Sequence, residues 1–438
     1  MQSNYRKLGD YIRLVDERNR NLVVKNLTGL TINKVFIPSV ANTVGTDMST
    51  YKIIRQNQFA CSTMQVRRDK KIPVALWKDY EPAIISAAYP VFEIMDEQQL
   101  FPEYLMMWFS RSEFDREACF LAVGGVRGSL EWEDFLNMEF PLPTLEKQKE
   151  LVAEYQTVEQ RIQLNNQLCE KLEETAQTIY RHWFEDFEFP VQRHCEERGT
   201  SDEAISMVAE TQSQYNEIAA LPLAMTGYKS SGGAMLHNEE LGKEIPKGWR
   251  VGKLGELGKL KSGFAFKSED WCTEGIPVIK IGSISDNSID INNLDYVDST
   301  YQIKNEYVAK CGDLVIAMTG ATIGKIGLVP GYFNKFFVNQ RVGLFSFNKQ
   351  ILKYYFYFLL QKDIIQNEIQ GIGGDSAQAN FSNTQLESFS ILIPENKILN
   401  NYCELAKGIV DKIQGLNLQT QKLEELKSLL LGKMAVEG

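Results

Sequence analysis

The chain has 438 residues, of which 44% are hydrophobic and 24% charged, and its formal net charge is −10. This length predicts two or more domains, and the composition is that of an ordinary globular protein. The longest strongly apolar run, Tyr354 to Leu360, is too short to span a bilayer, and the first ten residues lack the apolar core of a signal peptide, which excludes a membrane protein and predicts a cytoplasmic location.

The first predicted domain, residues 1–142, mixes short strands with helix. Runs rich in β-branched and aromatic residues predict strands, and a longer apolar run after them predicts a helix. The strand runs are TINKVFIPSV, YKIIRQNQFACSTMQVRRDKKIPVALW and AIISAAYPVFEIM, and the helical run is FPEYLMMWFSRSEFDREACF. With 17 basic and 18 acidic residues the segment is nearly neutral, so it can present a basic face despite the negative total.

A long helix is predicted at residues 143–184 and a second at residues 395–438. In each, a stripe of mainly apolar residues recurs at alternating spacings of four and three, which keeps the stripe on one helix face. The first stripe comprises Leu151, Tyr155, Val158, Ile162, Asn165, Cys169, Leu172, Ala176, Ile179 and Trp183, and the second comprises Tyr402, Ala406, Ile409, Ile413, Leu416, Thr420, Leu423, Lys427, Leu430 and Met434. Exposed apolar stripes are unfavourable in water, which favours antiparallel pairing of the two helices, with Asn165 fixing the register. The alternative is that each helix packs alone against its own domain.

Residues 185–244 are predicted to form an acidic linker. They contain 4 basic and 12 acidic residues, and therefore carry −8 of the total charge of −10. The negative charge of the chain is thus a property of this segment rather than of the two predicted domains.

The second predicted domain, residues 245–394, repeats the order of strand runs followed by a helical run. Its strand runs are GIPVIKIGSI, GDLVIAMTG, GKIGLVPG and FFVNQRVGLFSF, and its helical run is KYYFYFLLQKDIIQNEI. The stretch MTGATIGKIG invites comparison with a phosphate-binding loop, but Thr319 stands where the first glycine is required and Ile326 where the metal-binding hydroxyl is required. We interpret it as two strands, Leu314 to Met318 and Lys325 to Val329, joined by a glycine-containing turn.

Internal repeats relate the two halves of the chain. KLGDYI corresponds to KLGELG, WEDFLNMEFPLP corresponds to NTQLESFSILIP, and KLEE recurs at the same offset after each of these proline ends. The predicted fold class is therefore α+β. Two mixed globular domains are separated by two long antiparallel coiled-coil helices, and the halves are related by pseudo-two-fold symmetry.

The runs FACSTMQVRRDKKIPVAL, AAYPVFEI and RGSLEWEDFLNMEFPLP, followed by IPKGWRVGKLGELGKLKSGFAFKS, GDLVIAMTGATIGKIGLV and NQRVGLF, resemble type I restriction-modification specificity (S) subunits with two target-recognition domains. The resemblance implies a subunit that binds double-stranded DNA, reads a bipartite site with one half per domain, and recruits two methyltransferase (M) subunits through the helices. Restriction (R) subunits would join for cleavage.

The same resemblance implies that this chain holds no cofactor, and that S-adenosylmethionine and ATP with Mg²⁺ are bound by the partner subunits. The family often has Glu-Gln shortly after the terminal proline. Here Lys147 precedes Gln148, and Leu399 aligns with Gln148 in the second half. The contacts of that turn are therefore expected to differ in the second half.

No catalytic or metal site is predicted in this chain. A methyltransferase of this class would need an N-P-P-[YF]-type pocket, and the sequence has no Pro-Pro pair. Seven cysteines without a C-x-x-C pair and three histidines argue against a zinc site, a disulfide framework and most catalytic triads. Asp69 with Lys71 is interpreted as solvated charges rather than as part of a nuclease site.

Candidate DNA-binding residues follow from what phosphates and base edges require, namely cations and Arg, Asn or Gln side chains. In the first domain they are Arg67, Arg68, Lys70, Lys71 and Arg127, and in the second they are Lys261, Lys267, Lys325, Lys335, Asn339, Gln340 and Arg341. For any one of them, the alternative is an ordinary exposed cation or a structural hydrogen bond.

Two other functions stay open. A coiled-coil scaffold whose globular domains bind peptide or sugar would respond little to salt and would show no preference among DNA sequences. An independent nucleotide hydrolase is disfavoured by Thr319 and Ile326, and a phosphate-release assay would test it.

Overall fold

The computed structural model of the chain describes residues 4–39, 46–124, 128–191, 226–285, 287–372 and 380–437. Contacts divide the chain into two units. Unit 1 comprises Met1–Leu164 and Thr420–Gly438, and unit 2 comprises Asn165–Gln419. Each unit contains part of both long helices, and the domain borders drawn from the sequence stay a prediction. Most of the predicted acidic linker, residues 192–225, lies outside the described residues.

Unit 1 combines short strands with short helices ahead of the first long helix. Its strands are β1 (Tyr5–Lys7), β2 (Ile12–Val15), β3 (Thr28–Leu30), β4 (Phe36–Pro38), β5 (Lys52–Ile54), β6 (Gln58–Cys61), β7 (Val74–Leu76), β8 (Ala83–Ile85), β9 (Val91–Ile94) and β10 (Glu139–Pro141). Its helices are α1 (Val66–Asp69), α2 (Pro102–Phe109), α3 (Ser112–Leu121) and α4 (Trp132–Asn137), and α5 (Leu145–Phe184) begins in this unit.

The core of unit 1 forms around an antiparallel sheet of order β2-β9-β6-β7. Strand β6 is central in this sheet, and all four of its residues are buried. Its Phe59 stacks on Phe92 of β9 with ring centroids 5.1 Å apart, and Phe109 and Phe135 from two of the short helices pack against Phe92. The apolar residues of the strand runs thus supply the core that the sequence pattern predicts.

Unit 2 has more strands, and two short helices follow most of them. Its strands are β11 (Pro190–Val191), β12 (Thr226–Gly227), β13 (Met235–Asn238), β14 (Lys243–Pro246), β15 (Arg250–Lys253), β16 (Gly258–Ser262), β17 (Trp271–Cys272), β18 (Ile276–Ile279), β19 (Ile284–Ser285), β20 (Ser288–Ile289), β21 (Asp295–Val297), β22 (Val308–Ala309), β23 (Leu314–Ala317), β24 (Ile326–Leu328), β25 (Phe336–Val338), β26 (Val342–Phe347) and β27 (Ser390–Ile393). Its helices are α6 (Leu352–Leu359), α7 (Asp363–Ile372) and α8 (Asn383–Glu387), and α9 (Asn396–Glu437) begins in this unit.

Two sheets organise unit 2. One has the order β16-β26-β23-β24-β20-β19 and the other the order β17-β21-β18-β25-β22. Strands β23 and β24 pair antiparallel, with Leu314 opposite Leu328 and Ile316 opposite Ile326. The interpretation of this stretch as two strands joined by a glycine turn is confirmed, and Gly324 takes a φ of +82° within the turn.

The topology of unit 1 recurs in unit 2. The order β2-β9-β6-β7 matches β16-β26-β23-β24, and the antiparallel pair β1–β10 matches β15–β27. A hydrogen bond from a tyrosine hydroxyl to the backbone of the last strand recurs as well. Tyr104 Oη donates to Pro141 O at 2.9 Å, and Tyr355 Oη donates to Leu392 O at 3.1 Å. The duplication indicated by the sequence repeats is therefore a duplication of the fold, and the predicted mixed α/β class with two long helices is confirmed.

Two expectations about local structure were wrong. Each run predicted as one helix forms two: in unit 1 the break falls at Ser110–Arg111, where the Ser110 hydroxyl donates to Met106 O at 2.9 Å and Arg111 is extended. The long strand run of unit 1 is also interrupted, by α1. Gln65 and Lys70 flank this turn of helix with φ of 63° and 51°, and the left-handed backbone at both ends takes the basic run out of the sheet.

The two long helices pack against each other, antiparallel, inside each unit. In unit 1, Lys433 lies 3.6 Å from Glu154 and Lys427 lies 3.0 Å from Glu159, so rising numbers on α5 meet falling numbers on α9. The predicted stripe residues in the described chain are all buried or half-buried. None of the helices in the described ranges is long and apolar enough to cross a membrane.

In unit 2, the helix pair has a polar layer and an aromatic end. Asn165 Nδ2 donates to Gln419 Oε1 at 3.1 Å. The side chain that was predicted to fix the register therefore forms a hydrogen bond with an amide of the other helix. Toward the end of α5, Trp183 and Phe184 pack on Tyr402 of α9 with ring centroids 5.7 and 4.7 Å apart. Apolar packing and one specific amide pair therefore both set the register of the helices.

Candidate nucleic-acid interface

A cleft in unit 2 lies where three chain segments meet at the end of β23. The Met318 N–H donates to Arg341 O at 3.0 Å, and Met318 O accepts from the Phe381 N–H at 3.2 Å. Residue 318 thereby ties the turn before β26 on one side to the segment before α8 on the other. Side chains from segments far apart in the sequence are held around one opening.

The cleft has a volume of about 630 Å³ and is lined mainly by polar side chains. The lining residues are Ser262, Met318, Thr319, Gln340, Arg341, Asn380, Phe381, Ser382, Asn383 and Thr384. They include hydroxyls, amides and one guanidinium, and none of them is acidic. Such a surface can exchange hydrogen bonds with base edges and tolerates the negative charge of a nucleic acid.

A glycine positions the predicted residues at the cleft. The loop SGFAF after β16 crosses the end of β25, where Phe264 N–H donates to Val338 O at 2.7 Å and Gln340 N–H donates to Phe264 O at 2.8 Å. A Cβ on Gly263 would lie 2.2 Å from Val338 O. Only glycine permits this close approach, and the approach fixes the backbone that carries Gln340 and Arg341.

The structure separates the other candidates of unit 2. Asn339 has a structural role, since its Oδ1 accepts from the Arg341 N–H at 3.3 Å. Lys261 lies 3.8 Å from Glu306, and Lys267 lies 3.5 Å from Glu269. The nearby carboxylates partly offset the positive charge of these two lysines. Both lysines are exposed and lie outside the cleft lining.

The two remaining lysines of unit 2, Lys325 and Lys335, are also exposed. The backbone of Lys325 accepts from the Ala317 N–H at 2.8 Å, which places it at the same end of the β23–β24 hairpin as the cleft. Lys335 Nζ lies 5.4 Å from the ring centroid of Phe337. Both ammonium groups can reach an approaching phosphate, and neither lines the cleft.

In unit 1 the candidates form a looser set. Arg67 Nη1 donates to Gly124 O at 3.0 Å, so this guanidinium supports the loop that follows α3. Arg68 pairs with Asp69 at 2.7 Å, and this hydrogen bond lowers the pKa of the Asp69 carboxyl. Lys70 is the residue at the end of α1 whose backbone is left-handed.

The two remaining candidates of unit 1, Lys71 and Arg127, do not join the arginines of α1 in a shared cleft of the described residues. Lys71 lines a different cavity of unit 1, of about 600 Å³, rather than sharing a cleft with the arginines. Arg127 lies outside the described residues. Among the described candidates of the first domain, one arginine thus supports a loop, a second pairs with a carboxylate, and one lysine lines a separate cavity.

Residues 246–428 match the family model of the type I restriction modification DNA specificity domain. The chain is 21% identical, over 98% of its length and 97% of the relative's, to the type I restriction enzyme HindI specificity subunit of Haemophilus influenzae. It is 27% identical to the MjaVIII specificity subunit of Methanocaldococcus jannaschii over 44% of this chain and 48% of that protein. Residues 246–428 therefore carry a type I restriction modification DNA specificity domain, and the chain is similar to a type I specificity subunit over nearly its whole length.

A solved structure agrees with this assignment at the level of the fold. The crystal structure of a type I restriction-modification system S subunit from M. genitalium aligns with 98% of this chain and 95% of that one, at a TM-score of 0.56 and 13% identity. The relatives that the chain matches are named as specificity subunits rather than as catalytic subunits, which agrees with the prediction that this chain is not itself an enzyme. Within the described residues, no cluster of His, Cys, Asp and Glu could hold a metal ion.

The predicted site residues did not include the part of the cleft around the start of α8, in particular Asn380, Ser382 and Asn383. A signal was present. Ser382 and Gln385 form a capping box, in which Ser382 Oγ accepts from the Gln385 N–H at 3.3 Å and Gln385 Oε1 accepts from the Ser382 N–H at 2.8 Å. The pattern S-x-x-Q before an apolar residue marks a helix start, and polar residues beside it are candidates for ligand contacts.

Proposed function

We propose that this type I specificity subunit reads a bipartite DNA site, one half with the domain at residues 1–142 and the other with the domain at residues 245–394. The observation that carries the proposal is the acid-free polar cleft of unit 2, where Gln340 and Arg341 share one opening with hydroxyls and amides. These side chains can exchange hydrogen bonds with base edges in the major groove, and the exposed lysines nearby can neutralise phosphates.

The proposal includes recruitment of two methyltransferase subunits through the long helices at residues 143–184 and 395–438. Helix α9 supports this step, because Leu426 and Leu429 are 43% and 71% exposed although the predicted stripe on the same helix is buried or half-buried. Exposed apolar side chains on a helix are suited to a protein partner. In the assembled cytoplasmic system, S-adenosylmethionine would be bound by the methyltransferase subunits, and ATP with Mg²⁺ by added restriction subunits.

The test uses the full chain purified with its methyltransferase subunits. Methylated adenines are mapped in cellular DNA, and binding to the deduced site is measured between 50 and 200 mM salt. We expect a two-part methylated sequence and an affinity that falls steeply with salt, because each phosphate contact contributes about 0.9 to the log–log slope. Exchanging residues 1–142 for another recognition domain should change one half of the sequence and leave the other half intact.

A paired substitution locates the contact surface. Q340A/R341A should weaken selection in one half of the site only. The control is Lys310→Ala, an exposed cation in the turn before β23, at the opposite end of that strand from the cleft. Binding that ignores salt and shows no preference among DNA sequences would refute the proposal and favour a scaffold for peptide or sugar.

A further inference from the structure

We infer that Arg341 reads a guanine, from the major groove, in the half-site bound by unit 2. The inference rests on the proposed DNA-reading function and deepens it, because it names the base that one side chain selects. It follows from three features of the cleft: a fixed backbone, a guanidinium without a carboxylate partner, and a second group that presents donors.

The backbone of Arg341 is held on both sides. Its N–H donates to Asn339 Oδ1 at 3.3 Å, and its carbonyl oxygen accepts from the Met318 N–H at 3.0 Å. The preceding residue is held as well, since the Gln340 N–H donates to Phe264 O at 2.8 Å. A side chain that leaves such a backbone loses less conformational freedom on binding than one on a free loop.

The guanidinium of Arg341 has no ion pair within the residues that the structure describes, and it is exposed at a cleft without an acidic lining residue. Other cations of unit 2 differ in this respect. Lys261 lies beside Glu306, and Lys259 lies 3.0 Å from Glu387. The Arg341 guanidinium therefore keeps its N–H donors available, and a guanidinium has donors and no acceptor.

A second group in the cleft also presents donors. The hydroxyl of Ser262 donates to Asn383 Oδ1 at 3.1 Å, which engages the amide oxygen and leaves the amide N–H groups of Asn383 for a ligand. Both Asn383 and Arg341 line the cleft. The opening thus offers donors from two directions.

Guanine is the base that matches this arrangement. Its major-groove edge carries two acceptors, N7 and O6, whereas adenine pairs one acceptor with a donor, cytosine presents a donor, and thymine presents one acceptor beside a methyl group. A planar guanidinium can bind N7 and O6 together. The inference therefore predicts a G·C pair in the half-site at the position that Arg341 contacts.

The test compares the wild-type complex with R341A and R341Q, each assembled with the methyltransferase subunits, by selecting bound sequences from a randomised site. We expect one position in one half to be G in the wild type and to lose that preference by about 5- to 150-fold in R341A. R341Q keeps a polar side chain, but a shorter one without the two-pronged guanidinium, and should also lose the guanine preference. The exposed position of Arg341 makes a folding defect unexpected, and thermal melting checks this for both variants.

Two results would overturn the inference. In one, R341A weakens binding to all sequences equally and leaves the selected sequence unchanged, as expected for a phosphate contact. In the other, the position that relaxes is an A·T pair in the wild type. Failure of the proposed function looks different, because the wild-type complex itself would then select no sequence. K310A serves as the control for loss of one positive charge and should select the wild-type sequence.

Discussion

The buried amide of Gln148 gives the sharpest test of how the first long helix is anchored. The side chain is 0% exposed and makes three hydrogen bonds to the backbone. Its Oε1 accepts from the Phe101 N–H at 2.8 Å, and its Nε2 donates to Gln99 O at 2.9 Å and to Pro143 O at 2.9 Å. The start of α5 is thereby joined to the start of α2.

The substitution Q148L replaces the amide with the residue type that unit 2 uses at the aligned position, where Leu399 is 2% exposed inside an apolar cluster. In unit 1 the change removes three hydrogen bonds and leaves three backbone groups without their partner. At 0.5–1.5 kcal/mol per bond, we expect a loss of about 2–4 kcal/mol in the free energy of unfolding of unit 1. The control is Q160L, the same chemical change at an exposed position of α5, which should cost less than about 0.5 kcal/mol.

The assay must report each unit separately, since two units need not unfold in one step. Cys61 is buried in unit 1 and Cys403 in unit 2, so pulse alkylation in urea followed by peptide mass spectrometry measures both. For an m-value of about 2 kcal/mol/M, Q148L should lower the urea midpoint of Cys61 exposure by about 1–2 M. A midpoint within 0.3 M of that of Q160L would show that the three bonds do not anchor the helix.

Three further outcomes are expected. K325A should reduce the salt slope of DNA binding by about 0.9 without changing the selected sequence, as measured by binding titrations at several salt concentrations. D115N should destabilise unit 1 by about 3–5 kcal/mol in urea, because the Lys34 ammonium, 2.8 Å from Asp115, is then buried without its carboxylate. Burial lowers the pKa of Lys34 below 10.5, so this deficit should shrink as the pH rises toward that value and the amine loses its proton. The thiols of Cys61 and Cys403 should resist alkylation in the native protein at pH 8, since burial raises the pKa of both, that of Cys403 to about 12, while exposed cysteines react.

The features that local pattern determines were predictable from the sequence. Alternating spacings of four and three located both long helices, which span Leu145–Phe184 and Asn396–Glu437. The glycines between two apolar runs located the β23–β24 hairpin. In each case the signal lies within a few turns of helix or a few residues of strand, so no distant contact was needed.

The features that depend on distant contacts were not predictable. The cleft joins Ser262, Met318, Arg341 and Asn383 through a sheet and a capped helix, and no local pattern reports which of these segments meet. Carboxylate partners were missed for the same reason, since Glu306 is 45 residues from Lys261 in the sequence. Basic residues could be identified by type, and the structure was needed to separate those with a carboxylate nearby from Arg341.

The two units carry different side chains at a place where their backbones agree. In unit 1, the Cys61 N–H donates to Pro90 O at 3.1 Å, and in unit 2 the Met318 N–H donates to Arg341 O at 3.0 Å. Both bonds join the end of a central strand to the residue before its neighbour, because Pro90 precedes β9 and Arg341 precedes β26. The carbonyl group that accepts this hydrogen bond therefore belongs to a proline in unit 1 and to an arginine in unit 2. If both units read DNA with this region, the contact that Arg341 makes with a guanine has no counterpart at Pro90, because proline has no side-chain donor to offer a base.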